Sequence, residues 1–243
     1  DARDDAQPAG NDDQDMQDAQ SREPLYAPMS PVTPPPMQQA AGGQAVGVKA
    51  DWAIAGERAN LIREAENAFG NVDILVNNAA ITYFIPVSEF PEKRFRLMMD
   101  VQVWAPFELA QMVLPGMRER GSGWILNISS HAALHPDKKS GGHGSSVYGM
   151  CKAALERFTT GLAQEVYSEG VGVNVISPGL VATPGVMHHK LINETNEDRV
   201  TPVEHMAEAC LRLCYGDAQK LTGRIDYADQ VMEEFALTAQ ELI

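Results

Sequence analysis

The chain has 243 residues, which is enough for one sizeable hydrophobic core but cramped for two full domains. Its net charge of -14 repels nucleic-acid phosphates and anionic membrane surfaces, so we expect neither as a partner. Hydrophobic residues make up 44%, as in ordinary globular proteins, and no run of eighteen or more apolar residues suggests a membrane span.

Residues 1–40 differ in composition from the rest of the chain. They are rich in Asp, Gln, Pro and Ala, and the sequence SPVTPPP lies near their end. Such a segment offers too little apolar surface to offset the entropy of ordering, so we expect it to be extended or disordered. Residues 41–243 are predicted to form a single domain.

The cysteines and histidines argue against disulfides and metal sites. Three cysteines form neither an even disulfide set nor a Cys-x-x-Cys metal framework, which fits a reducing compartment. His131 and His135 have the spacing of a helical zinc pair but lack the glutamate of His-Glu-x-x-His, so no metal site is expected. The N-terminus is acidic, whereas a secretory signal would be basic and then apolar. We therefore expect a cytoplasmic protein.

From Gln44 onward, apolar segments that suit strands alternate with segments of helical periodicity. The predicted strands are QAVGVKAD (44–51), VDILVNNAA (72–80), GWILNISS (123–130), VGVNVISPG (171–179) and LTGRIDYAD (221–229). The predicted helices cover residues 55–69, 92–120 with an interruption at Pro106, 147–169 and 202–215. Strands that alternate with helices at this rhythm predict an α/β fold with a doubly wound parallel sheet, buried on both faces.

Polar and glycine-rich turns follow three of the predicted strands. They are NNAA (77–80), NISS (127–130) and SPGLVAT (177–183). Ligands of such sheets bind at the carboxyl ends of the strands, so we expect the three turns to converge on one crevice. The helix that carries Tyr148 and Lys152 begins shortly after the second turn.

Tyr148 and Lys152 are one helical turn apart in the sequence YGMCK. Positions i and i+4 lie on one face of a helix, so the phenol and the ammonium can share a pocket. A tyrosine with its reference pKa near 10 is a poor base at neutral pH, but a nearby cation favours the phenolate and lowers that pKa. Tyr148 is then suited to exchange a proton with an alcohol or its ketone, and the hydroxyl of Ser130 is suited to hold the substrate oxygen.

Four motifs in this order, VDILVNNAA, WILNISS, YGMCK and ISPGLVATP, resemble those of the short-chain dehydrogenase/reductase family, over about residues 44–237. The resemblance implies a Rossmann-like fold, NAD or NADP as the cofactor, and hydride transfer between the nicotinamide and a small-molecule alcohol or ketone. It also implies a homodimer or homotetramer that associates through the two long helices. The alternative is a non-catalytic chain that keeps these helices for oligomerisation or partner binding.

The resemblance assigns catalytic roles to four residues. Tyr148 matches the general acid and base, Lys152 the residue that lowers the tyrosine pKa and binds the nicotinamide ribose, and Ser130 the residue that orients the substrate oxygen. Gln102 stands where the family usually has an asparagine that supports a water relay to the lysine, so its longer side chain is expected to alter that relay. From the residues alone, Tyr148 and Lys152 are also compatible with an exposed helical pair, and Ser130 with a strand cap.

Further residues match family positions around the cofactor. Asp51 matches a residue that contacts the adenine, although it is also placed to cap the next helix. Asn77 matches a residue that supports the sheet. The remaining positions are Ala79 and Ala80, beside the cofactor, and Pro178, Gly179 and Thr183, which match the segment that contacts the nicotinamide and its carboxamide.

Two departures from the family pattern affect these expectations. Ser130 and Tyr148 are 18 positions apart, about five more than usual, and the extra residues in HPDKKSGGHGSS are expected to shape substrate access. The glycine-rich Thr-Gly-x-x-x-Gly-x-Gly turn that receives the pyrophosphate is not found. We therefore expect an N-terminally shortened member whose first β-α-β unit is missing, which would leave VDILVNN as an exposed sheet edge.

Overall fold

The described residues of the chain, in a computed structural model, are 42–138, 144–183, 186–187, 192, 194, 196–197 and 200–238. The chain divides into two units between Lys49 and Ala50. Described residues 42–49 form neither a helix nor a strand, so the prediction of a strand at residues 44–51 is wrong. A strand needs ladder hydrogen bonds to a neighbour, and the described part of this unit contains no second strand. The predicted domain boundary at residue 40 lies outside the described residues.

Parallel strands form the sheet of the second unit. In its described part they are β1 (Ile74–Asn77), β2 (Gly123–Ile128), β3 (Val171–Ser177) and β4 (Ile225–Tyr227), and they lie side by side in this order. The register pairs Asn77 with Asn127 and Ser177 with Tyr227, so the carboxyl ends of the strands lie along one edge. Helices connect each strand to the next, as parallel neighbours require. The predicted parallel α/β fold is confirmed.

The helices of the described residues match most of the predicted ones. They are α1 (Ala55–Phe69), α2 (Glu92–Met99), α3 (Ala105–Arg120), α4 (Ser146–Glu165), α5 (Val203–Arg212), α6 (Ala218–Leu221) and α7 (Ala228–Glu234), with 3₁₀ turns at Val87–Glu89 and His131–Ala133. α4 ends four residues before the predicted position 169, because the chain turns between residues 166 and 170 to enter β3. Gly170 completes this turn with a positive φ of 74°.

A π-helical turn, Asp100–Trp104, joins α2 to α3 and explains how this long helical segment accommodates Pro106. Pro106 lies in the first turn of α3, where its missing N–H group costs least. The N–H group of Ala105 donates to the carbonyl of Asp100, five residues earlier, which widens the helix by one residue. The predicted interruption is therefore real, but it precedes the proline.

Alternate residues of the strands supply two cores on opposite faces of the sheet. Leu75, Ile125 and Val173 pack with the buried faces of α1, α3 and α4. Leu126 and Ile176 point to the opposite face and pack with α5, α6 and α7. Burial of each such side chain contributes roughly 1.5–3 kcal/mol, so both layers stabilise the sheet. A sheet covered by helices on both faces is the doubly wound arrangement that the sequence predicts.

β1 departs from the burial that its apolar sequence predicts. Leu75 and Asn77 are buried, whereas Ile74 and Val76 are each 45% exposed. β1 lies at the edge of the sheet of described residues, and these residues do not cover the face that carries Ile74 and Val76. The strand is therefore buried on one face and not on both. The predicted lack of a first β-α-β unit concerns the chain before β1, which lies largely outside the described residues.

Gly170 is expected to tolerate no side chain. A Cβ atom at this position would lie 2.0 Å from the carbonyl oxygen of Gly121, and the φ of 74° already disfavours other residues. Gly216 is the matched control, since its φ is 102° but a Cβ atom there would have open space. We expect Gly216→Ala to cost about 1–2 kcal/mol of unfolding free energy and Gly170→Ala roughly 1–3 kcal/mol more. Urea unfolding of both variants measures this difference, and equal losses would contradict the predicted contact.

Candidate active site

The carboxyl edge of the sheet brings the predicted catalytic residues together. β2 ends at Ile128, and Ser130 follows it as the N-terminal cap of the 3₁₀ turn that begins at His131. The Oγ atom of Ser130 accepts a hydrogen bond of 3.2 Å from the N–H group of Ala132. α4 begins after this turn, at Ser146, and carries Tyr148 and Lys152 in its first two turns. Ser130 thus caps the 3₁₀ turn, as the alternative interpretation expected, and it also belongs to the predicted catalytic residues at this edge of the sheet.

The hydroxyl of Ser130 lies close enough to the phenol of Tyr148 to act on its pKa as a hydrogen-bond partner. Burial of the phenol raises the pKa of Tyr148 above its ordinary value of 10, the bond to Ser130 lowers it by less, and Cys151 raises it slightly further. The balance differs from the expectation that a nearby cation makes this tyrosine more acidic. Desolvation of a charged phenolate outweighs the favourable contacts in this arrangement. Tyr148 is therefore a protonated phenol at neutral pH.

Lys152 is almost completely buried, with 3% of its surface exposed. Its Nζ atom donates to the carbonyl oxygen of Ile128 at 2.8 Å and lies 5.6 Å from the ring centroid of Tyr148. Burial lowers the pKa of Lys152 from 10.5 to about 8, while the neighbouring Cys151 raises it to a smaller extent. The ammonium form still predominates at neutral pH. The pair Tyr148 and Lys152 is thus not an exposed helical pair.

Gln102 lies in the π-helical turn and is 1% exposed. Its Nε2 atom donates to the carbonyl oxygen of Ile81 at 2.8 Å, which fixes the segment that follows β1. Its Oε1 atom is buried without a hydrogen-bond partner among the described residues. The altered water relay predicted for Gln102 stays a prediction, and the unpaired oxygen gives it an acceptor with which to hold a water molecule.

A buried chain of hydrogen bonds ties the strand ends to α4. Asn77 donates to Asn127 at 2.8 Å across the strand pair, Asn127 donates to Thr159 at 2.8 Å, and Thr159 donates to the carbonyl of Leu155 at 2.8 Å. Sequence reasoning named Asn77 but missed Asn127 and Thr159. The signal for Asn127 was its position in NISS, because a parallel register places it opposite the first residue of NNAA.

The residues expected to contact the adenine and to lie beside the cofactor are Asp51, Ala79 and Ala80. Asp51 is exposed, and its Oδ1 atom accepts from the N–H group of Ala53 at 2.9 Å in the turn that leads into α1. The alternative expectation, that Asp51 caps the next helix, is wrong: the N-cap of α1 is Ile54, which has no side-chain cap hydrogen bond, and Asp51 bonds within the preceding turn. Ala79 is half-buried and Ala80 is exposed after β1, so their small side chains leave the strand end open.

The segment after β3 leaves the sheet at the same carboxyl edge. Gly179 has a φ of 74°, and a Cβ atom there would lie 2.8 Å from the Oγ1 atom of Thr201. Thr183 is exposed, and its Oγ1 atom accepts from the N–H group of Val186 at 3.3 Å. Pro178 is half-buried between Ser177 and Gly179. Only glycine suits position 179, because both the backbone angle and the space exclude a side chain.

Two aromatic contacts near Tyr148 were not predicted. The ring of Phe84 packs edge-on against Tyr148, with 6.3 Å between the ring centroids. The rings of His131 and Tyr227 meet edge-on at 4.5 Å. Gly144 lies against the backbone of Phe84, since a Cβ atom at Gly144 would be 2.6 Å from that carbonyl carbon. The end of the long loop therefore packs against Phe84, which itself contacts Tyr148. The role of the loop in substrate access stays a prediction, and residues 139–143 lie outside the described part.

The residues present fit the nicotinamide end of a dinucleotide. Asn77 Oδ1 and Ser177 Oγ are buried at the strand ends without a hydrogen-bond partner among the described residues. Buried polar atoms are normally paired, so a polar ligand along this edge would complete their bonding.

The described residues contain no group of three or more His, Cys, Asp or Glu side chains that is suited to hold a metal ion. None of the described helices has the length and apolar character of a membrane span.

Comparisons with known proteins agree with this arrangement. A family model for short chain dehydrogenases matches residues 35–194, about two thirds of the chain. Ketoacyl reductase HetN of Nostoc is 33% identical over 148 residues, which are 61% of this chain and 50% of that protein. D-beta-hydroxybutyrate dehydrogenase of Cupriavidus necator is 33% identical over 168 residues, which are 68% of this chain and 62% of that protein. The chain thus spans only part of the length of these relatives.

A solved structure shows the same likeness. L-Sorbose reductase from Gluconobacter frateurii, complexed with NADPH and L-sorbose, is 27% identical to this chain with a TM-score of 0.68, over 78% of this chain and 77% of that one. The parallel sheet, the polar strand ends and the match over about two thirds of the chain agree with one another. The chain therefore belongs to the short-chain dehydrogenase family.

Proposed function

We propose that this chain is an NAD(P)-dependent oxidoreductase that acts on a small-molecule alcohol or ketone. The observation that carries the proposal is the buried ammonium of Lys152, which bonds to the carbonyl of Ile128 at 2.8 Å and lies 5.6 Å from the ring of Tyr148, with the Ser130 hydroxyl acting on the same phenol. The NADPH bound to the sorbose reductase and the dehydrogenase and reductase names of the relatives support the cofactor and the reaction class. The three cysteines are free thiols, which supports a cytoplasmic location.

The three side chains divide the proton chemistry between them. When a ketone is reduced, its oxygen gains negative charge, and the Tyr148 phenol is placed to donate its proton to that oxygen. The Ser130 hydroxyl holds the same oxygen and stabilises its charge. The Lys152 ammonium, one helical turn away, favours the phenolate that remains on Tyr148. In the reverse direction the phenolate takes the proton of the alcohol.

A bound nicotinamide supplies or accepts the hydride. Lys152 and Tyr148 would hold its ribose, and the other residues proposed to hold the dinucleotide are Asp51, Asn77, Ala79, Ala80, Pro178, Gly179 and Thr183. Gln102 would hold the water that relays a proton to Lys152, through its unpaired Oε1 atom. The raised pKa of Tyr148 means that the phenol carries its proton at neutral pH, which is the form that donates a proton when a ketone is reduced.

A second copy of the chain is the proposed partner of α3 and α4. The two helices line a groove of about 660 Å³, whose residues include Phe107, Gln111, Pro115, Arg118, Arg157 and Phe158. Trp104 stacks on Phe107 at 5.5 Å, and Phe107 lies 5.4 Å from Phe158 between ring centroids. Trp104 is nevertheless 49% exposed. A large aromatic surface beside a groove is typical of a protein interface, so these features support a homodimer or homotetramer.

Tyr148→Phe is expected to reduce turnover by about 10²–10⁴-fold, because the substitution removes the transferred proton and keeps the ring. Tyr167→Phe is the control, since Tyr167 is 52% exposed beyond the end of α4. The change in absorbance of the reduced nicotinamide, measured with a panel of alcohols and ketones, reports the rate. Unchanged turnover in Tyr148→Phe would contradict the assigned role. The absence of any turnover in the unmodified chain, with oligomerisation intact, would favour the non-catalytic alternative.

The lowered pKa of Lys152 predicts a pH-dependent part of the stability. The lysine titrates at about 8 in the folded protein and at 10.5 in the unfolded chain. Between these values the unfolded state binds more protons, so the folded state gains stability as the pH rises. We expect wild type to gain up to about 3 kcal/mol relative to Lys152→Met from pH 8 to pH 10.5. Urea unfolding across this range measures the gain; a difference that does not change with pH would refute it.

Trp104→Ala is expected to weaken self-association, because it removes the exposed ring at the edge of the groove while the buried core is unchanged. Tyr167→Ala removes an aromatic ring of similar exposure outside the groove and serves as the control. Sedimentation velocity at several concentrations should show a shift towards monomer, by at least tenfold in the dissociation constant, only for Trp104→Ala. Identical behaviour of both variants would place the interface elsewhere.

A further inference from the structure

Three consecutive residues at the end of β2 each act on a different turn of α4. The carbonyl oxygen of Ile128 accepts from Lys152 and the hydroxyl of Ser129 donates to Glu156, while the hydroxyl of Ser130 acts on the phenol of Tyr148. Positions 148, 152 and 156 are spaced by four residues and therefore lie along one face of the helix. The first and the third of these interactions belong to the proposed catalytic groups, and the bond between Ser129 and Glu156 has no part in the chemistry described above.

The bond between Ser129 and Glu156 is short, and Ser129 is buried and held by its backbone as well. The Oγ atom of Ser129 donates to the Oε1 atom of Glu156 at 2.6 Å, a distance that is typical of a charge-assisted bond. Ser129 is 3% exposed, and its N–H group donates to the carbonyl of Ile176 at 2.8 Å, which fixes it to β3. Both the backbone and the side chain of Ser129 are thus held by neighbouring elements.

Close contact at the start of α4 leaves little room for the helix to shift. At the start of the helix a Cβ atom on Gly149 would lie 2.5 Å from the carbonyl oxygen of Ala132, so helix and turn are already in close contact. One turn beyond Lys152, the charge of Glu156 acts on Tyr227 and, after burial, contributes to its raised pKa. Tyr227 pairs with Ser177 in the sheet. The carboxylate is therefore bonded at the end of β2 and exerts its charge on the end of β4.

We propose that Ser129 and Glu156 form a positioning pair that holds α4 in the register at which Tyr148 meets Ser130 and Lys152 meets Ile128. The inference rests on the proposed function for its kinetic consequence, but the geometry itself concerns the free protein. A catalytic group displaced by about 1 Å can lose about 10²-fold in rate, so a bond one turn from Lys152 affects catalysis without touching the substrate. Neither residue is assigned a catalytic role.

Steady-state kinetics with four variants test the proposal. Ser129→Ala and Glu156→Ala should each lower kcat by about tenfold with a smaller change in the KM of the nucleotide, because most of the residues proposed to hold the nucleotide lie on elements other than α4. Glu156→Gln keeps an acceptor for Ser129 and should retain most of kcat. The double variant Ser129→Ala/Glu156→Ala should be no slower than either single variant, since all three lose the same bond. Glu119→Ala removes an exposed carboxylate from α3 and is the control.

The titration of Tyr148 supplies a measurement that does not depend on turnover. Ring-labelled tyrosine can be followed by carbon NMR, with the Tyr148 signal assigned through Tyr148→Phe. The groups that act on this phenol are Ser130, Cys151 and Lys152, and the bond to Ser130 lowers its pKa. If α4 loses its register, that bond weakens and the pKa of Tyr148 rises in both Ser129→Ala and Glu156→Ala. A simple loss of negative charge would instead lower the pKa in Glu156→Ala and leave Ser129→Ala unchanged.

The outcomes separate this inference from the proposed function. A raised pKa of Tyr148 in both alanine variants, with Glu156→Gln and Glu119→Ala unchanged, supports the positioning pair even if no substrate is turned over. Absence of turnover in wild type would remove the proposed function alone. An unchanged or lowered pKa in Glu156→Ala overturns the inference, and so does a loss in Glu156→Gln as large as that in Glu156→Ala.

Discussion

The buried ammonium of Lys152 imposes the constraint on which the site depends. An ammonium group that leaves water must be hydrogen-bonded or lose its charge, and the carbonyl of Ile128 supplies that bond at 2.8 Å. Ile128 is the last residue of β2, so the bond fixes α4 against the end of a strand. Tyr148, one turn earlier on the helix, then reaches the serine that follows the same strand. The position of Tyr148 is in this sense a consequence of how the lysine is buried.

Local patterns in the sequence predicted much of this arrangement. The apolar runs located β1 to β3, and the spacing of Tyr148 and Lys152 placed both on one helical face. The contacts that were missed join distant parts of the chain. Asn77 and Asn127 are 50 residues apart, and Ser129 and Glu156 are 27 residues apart. Periodicity describes one element at a time, so it cannot show which residues of two elements meet. Phe84 lies in a loop without any periodic signal, and only the fold brings it to Tyr148.

The errors of the sequence analysis also have physical causes. The segment 44–51 has the apolar character of a strand, but a strand exists only with a neighbour that completes its hydrogen bonds. The apolar run of β1 predicted two covered faces, whereas the described residues cover one. For Tyr148, a rule about neighbouring charges predicted a lowered pKa, and burial reversed its sign. In each case the local signal was read correctly and the surroundings decided the outcome.

The π-helical turn links the two surfaces of this protein that matter for its proposed activity. Gln102, in the interior of the site, and Trp104, exposed beside the groove, are two residues apart within the same widened turn. The extra residue rotates the side-chain faces of α3 by about 100° relative to those of α2. The two helices therefore present different faces to their surroundings although the helical segment is continuous. Natural variation that removes one residue from this turn would change the interior and the association surface together.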